Sequence, residues 1–101
     1  MVTHPIHVSA RQYRGNDPKK LRKHAEESAA ASKLERLINE MLLTQERPIQ
    51  VYLYHEIASK SGYPIELVRK LCFAIDCGGN GFTAIKPGMT YEQAMHAHNA
   101  A

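Results

Sequence analysis

The 101 residues suffice for one domain, or for one small domain with an extended arm. Apolar residues make up 44%, an ordinary globular share, with two phenylalanines, five tyrosines and no tryptophan. The core is therefore expected to be aliphatic with tyrosines at its edge. Net charge is only +3, no apolar run approaches the roughly 20 residues of a membrane span, and two cysteines do not make a disulfide framework. The opening MVTHPIHVSARQYR lacks the apolar segment of a signal peptide, so a cytoplasmic location is the default expectation.

The charge is unevenly placed. Residues 1–23 carry Arg11, Arg14, Lys19, Lys20, Arg22 and Lys23 against Asp17 alone, a net of +5. The remainder carries a net of −2. This predicts a basic N-terminal arm over residues 1–17, extended or partly disordered, and a single domain over 18–101. Within the arm, Ile6 and Val8 fall on one face of a short extended segment.

Asp17 suits an N-cap and Pro18 the first helical position, where its missing N–H has no intrahelical partner. From Pro18 to about Thr44 there is no proline or glycine, and Leu34, Leu37, Ile38, Met41 and Leu42 form an amphipathic stripe. The pattern reads as one long helix or as two. A break near Ala31-Ser32 would use Ser32 with Glu35 as a capping box. The thinner upstream stripe, Leu21, Ala25 and Ser28 or Ala29, is suited to a partner subunit, and a homodimer is one expectation.

Pro48 ends the helical stretch. Ile49-Gln50-Val51 alternates and reads as a very short strand. A second helical pattern starts at Leu53, with Ile57 and Ala58 facing inward, and ends at Ser61-Gly62, where Gly62 can take a positive φ. A third opens at Tyr63-Pro64-Ile65-Glu66. Gly78-Gly79 and Asn80-Gly81 are turn dipeptides, followed by the strand Phe82–Ile85. Ala74-Ile75 reads either as the helix end or as a strand opposite. After Pro87-Gly88, Thr90 with Gln93 makes a capping box for a last helix from Tyr91 to about His98. Tyr91, Ala94, Met95 and His98 are expected to dock on the body.

The stretch Tyr54–Phe73 resembles the helix-turn-helix family of DNA-binding domains. The family places a small residue where Ala58 lies, glycine where Gly62 lies, and aliphatic residues where Ile57, Val68 and Leu71 lie. Tyr63 and Ser61 depart from the pattern, standing where smaller aliphatic or apolar residues are common. With a strand before it and glycine-rich turns after it, the stretch resembles the winged branch. The resemblance implies a mainly α, small winged helix-turn-helix domain with a short hairpin.

It also implies that the helix after Gly62 would enter the major groove of duplex DNA, presenting Pro64, Ile65, Glu66, Arg69, Lys70 and Phe73. Arg69 and Lys70 would donate to guanine edges or phosphates, Glu66 would accept from a cytosine amino group, and Ile65 would meet a thymine methyl. Arg14, Lys19, Lys20, Arg22 and Lys23 would neutralise phosphates. The expected role is a transcriptional regulator or accessory DNA-binding factor. Exposed Ile65 and Phe73 suit a protein-interaction module instead, such as a phage or plasmid protein that binds a host protein. An oligomeric DNA-packaging adaptor is a third reading.

No catalytic constellation or cofactor motif is present in the sequence. His55-Glu56 does not complete HExxH, because position 59 is serine. Cys72, Cys77, His96 and His98 lack a zinc-site spacing, so no metal is assigned.

Overall fold

The computed structural model describes residues 1–100. Four helices and a two-stranded antiparallel sheet follow in the order α1 (Pro18–Leu43), β1 (Ile49–Leu53), α2 (Tyr54–Ser61), α3 (Ile65–Asp76), β2 (Gly81–Ile85) and α4 (Tyr91–Ala100). None of these helices is long and apolar enough to cross a membrane.

Helix α1 starts as its sequence dictates. The Asp17 carboxylate accepts from the Lys19 amide at 3.0 Å, and Pro18 takes the first turn. The helix then runs unbroken for 26 residues. The Ser32–Glu35 capping box does not form, because Ser32 lies mid-helix. Glu35 instead accepts from the Val8 amide at 3.0 Å. Only the second half of α1 is buried, through Ala30, Ala31, Leu34, Ile38 and Leu42. The molecule is accordingly long, 55 × 24 × 21 Å, with the first turns of α1 overhanging the body.

Residues before α1 lie along it. Ile6 and Val8 are buried in the common core, and Asn39 satisfies the Ile6 backbone from both sides, accepting at 2.8 Å and donating at 3.1 Å. Val2 bridges to β2 in parallel fashion.

Strands β1 and β2 pair from Ile49↔Ile85 to Leu53↔Gly81. Of the hairpin expected after α3, only β2 is a strand. Ala74 and Ile75 remain helical, so β2 returns to β1 across the α2–α3 pair instead of pairing locally. Gly81 makes that return possible, since a Cβ there would collide with the Tyr52 carbonyl oxygen. On the inner face Tyr52 stacks on Phe82 at 5.4 Å between ring centroids.

The α2–α3 pair is held as its sequence suggests. Ile57 and Val68 are fully buried, Leu71 nearly so, and Ala58 packs against them. Each fully buried aliphatic side chain contributes about 1.5–3 kcal/mol through burial. Gly62 closes α2 with φ of 78°, its amide donating to the Ala58 carbonyl.

The two departures from the motif have local explanations. Ser61 is buried but satisfied, its hydroxyl donating to the Ala58 carbonyl and accepting from the Tyr63 amide at 3.2 Å. Tyr63 lies under Lys33 of α1, whose Nζ is 5.1 Å from the ring centroid and 3.4 Å from the Ser61 carbonyl. One lysine therefore clasps the turn to α1.

At the far end, Thr90 and Gln93 form the reciprocal capping box at 2.9 and 3.1 Å. Ala94 docks α4 on the body. Tyr91 is 57% exposed and His98 is also exposed, so neither joins that face. A short helix anchored on one small residue leaves its larger side chains at the rim.

Candidate nucleic-acid interface

The overhang of α1 decides where the basic residues go. At 100° per residue, Lys20, Lys23, His24 and Glu27 share one stripe with Ala31, Leu34, Ile38 and Leu42. The stripe is apolar where α1 covers the body and charged where it extends past it. Its charged half consequently faces inward, towards the flank of α3, rather than outward.

A cleft of about 510 Å³ lies there, lined by Arg11, Gln12, Tyr13, Lys20, Lys23, His24, Glu27 and Lys70. Three separate segments build it: the chain before α1, the first turns of α1, and α3. Four lysine and arginine side chains line it against one carboxylate. That carboxylate, Glu27, is bound to Lys70 at 2.6 Å, with the glutamate side chain 13% exposed and the lysine 53%. Tyr13 is ordered by its neighbours. Its hydroxyl accepts from the Asp17 amide at 3.3 Å, and Lys20 Nζ sits 6.0 Å from its ring centroid.

Helix α3 presents a second surface. Glu66, Arg69, Lys70 and Phe73 occupy one exposed stripe, and Phe73 is 54% exposed. Pro64 is exposed at the helix entrance. Ile65 is different from expectation: it is only half-exposed and packs on the core. Lys70 belongs to both surfaces and joins them.

The five basic residues singled out upstream divide. Lys20 and Lys23 line the cleft. Arg14, Lys19 and Arg22 are exposed elsewhere, Lys19 and Arg22 lying off the charged stripe. Arg11, Tyr13, His24 and Glu27 were not singled out in the sequence. For His24 and Glu27 the signal was the continuity of the stripe from Lys20 to Leu42, which runs through a change from charged to apolar residues; Arg11 and Tyr13 precede α1 and lie outside it. Charge counting along the chain does not reveal it.

Cys72 is fully buried in α3, and burial pushes its thiol up to about 11. Cys77 is exposed and caps α3 in a left-handed conformation, φ 53°. No group of three or more His, Cys, Asp or Glu side chains among the described residues is placed to hold a metal.

No family model matches the chain, and no curated protein or solved structure shows significant similarity to it.

Proposed function

We propose that this chain is a small DNA-binding protein of winged helix-turn-helix type, acting as a transcriptional regulator or accessory DNA-binding factor. The observation that carries the reading is the basic cleft beside α3. Lysines 50 residues apart in sequence, Lys20 and Lys70, line one recess next to the helix whose exposed stripe holds Glu66, Arg69 and Phe73.

In this reading α3 enters the major groove and Arg69 reaches base edges or backbone. The overhang of α1 lies across the flanking strand, where Arg11, Lys20 and Lys23 neutralise phosphates. The order helix, strand, helix, helix, strand supports the winged assignment. The turn after α3 carries no lysine or arginine, so the electrostatic contact falls to the cleft rather than to a wing tip.

Fluorescence anisotropy with a labelled duplex, over a range of salt, tests the proposal. Affinity is expected to fall steeply with salt, and Lys20→Ala with Lys23→Ala to lower the log–log slope by about 2. Absence of duplex binding by the wild-type chain at low salt overturns it.

Phe73 favours a second reading. An aromatic side chain more than half exposed on the solvent-facing stripe of α3 suits a protein partner. Phe73→Ala would then abolish capture of that partner.

A further inference from the structure

Glu27 is the one carboxylate lining the cleft. It is mostly covered, and its partner is the lysine that joins the cleft to the α3 surface. On the same stripe of α1, Lys20 precedes it by seven residues, Lys23 by four and His24 by three. Arg11 lines the same cleft from the preceding segment. A carboxylate oxygen at 2.6 Å from an ammonium is a charge-assisted contact of the kind a phosphate oxygen would make.

We propose that Glu27 is an internal competitor for the anion site of the cleft, and so sets how tightly and how selectively the cleft takes a phosphodiester backbone. The inference rests on the DNA reading above. In the free chain Glu27 holds Lys70. A single small anion gains too little to displace it. A nucleic-acid strand that engages Arg11, Lys20 and Lys23 at successive phosphates can draw Lys70 across as well, leaving Glu27 to be neutralised by a solution cation.

A structural role for Glu27 makes the opposite forecast from this one. If the Glu27–Lys70 pair served only to fasten α1 to α3, its removal would loosen the overhang and weaken binding. As a competitor, its removal strengthens binding. Glu27→Gln keeps the shape and removes the charge. Duplex binding is expected to tighten by about two- to fivefold at low salt, the scale of one partly exposed ion pair. The salt slope should steepen by about 1, because no cation is then taken up on Glu27.

In a Lys70→Met background the same substitution should give a smaller gain, since the competition runs through Lys70. Circular dichroism and thermal melting establish that each variant is folded. Glu27→Ala serves as the second variant, with the same expected direction. Binding by the wild type with unchanged or weaker binding by both Glu27 variants overturns the inference alone. Failure of the wild type to bind duplex DNA at low salt overturns the DNA reading and the inference together.

Discussion

The hydroxyl of Tyr52 donates to Gln45 Oε1 at 2.8 Å, and both groups are buried. The amide nitrogen of Gln45 in turn donates to the carbonyls of Ala84, at 3.1 Å, and Arg47, at 2.9 Å. This glutamine thus ties the end of α1 to both strands, and every buried polar atom in the chain of contacts has a partner. Tyr52→Phe leaves Gln45 Oε1 without a donor. It should cost about 1–3 kcal/mol in urea unfolding with an unchanged m-value. Gln45→Ala should cost more than Tyr52→Phe, since it strips three groups of their partners and opens a void.

Two glycines separate two kinds of backbone demand. At Gly62 nothing lies near where a Cβ would be, but φ is 78°. Gly62→Ala should therefore cost about 1–2 kcal/mol through conformation alone. Gly62→Asn, which tolerates this region, should recover part of it. At Gly81 the backbone of Tyr52 fills the space, and neither residue relieves the clash. Thermal melts of the four variants Gly62→Ala, Gly62→Asn, Gly81→Ala and Gly81→Asn distinguish these cases.

Ser61 should resist replacement by the apolar residue that its motif position invites. Ser61→Ala removes both the acceptor for the Tyr63 amide and the hydroxyl that donates to Ala58. A loss of about 1 kcal/mol is expected by chemical denaturation. A neutral or stabilising result would mean that water replaces the hydroxyl at this turn.

The Cys72 thiol carries a pH dependence. Burial raises it from the ordinary 9.0 to about 11, so the folded chain keeps a proton that the unfolded chain loses between those values. Stability is complete below pH 9 and falls as pH rises towards 11, by about 2–3 kcal/mol in total. Burial also raises Tyr52 and Tyr54, which adds to the loss in the same direction at higher pH. Unfolding titrations of wild type and Cys72→Ala between pH 8 and 11 should diverge. At pH 8 a thiol reagent should modify exposed Cys77 quickly and Cys72 only on unfolding.

Much of the architecture is legible because local signals agree with one another. Asp17-Pro18, Gly62 and Thr90–Gln93 mark helix ends through their own backbone chemistry, and the structure uses each as expected. Ile57 is legible from its local pattern, and Val68 and Leu71 from the helix-turn-helix resemblance. What local pattern does not carry is pairing at long range. β2 meets β1 rather than a nearer strand, and the Ser32–Glu35 signal yields to a helix with no reason to stop. The site shows the same division. Arg69, Lys70 and Phe73 are recognisable on an exposed helix stripe, whereas the recess around Lys20 and Lys23 exists only because α1 overruns the body.

That overrun gives α1 two thermodynamic lives in a single geometry. From Ala30 onward its amides sit over the core and open only when the domain does. The turns before it have solvent on most sides, like a peptide helix too short to persist alone. They are steadied by the Asp17 cap and by Glu27 on Lys70. Amide exchange should therefore change abruptly within one continuous helix, near Ala30. A strand of nucleic acid laid in the cleft would move that boundary towards Pro18, so the protein would register its ligand as a lengthening of the protected helix.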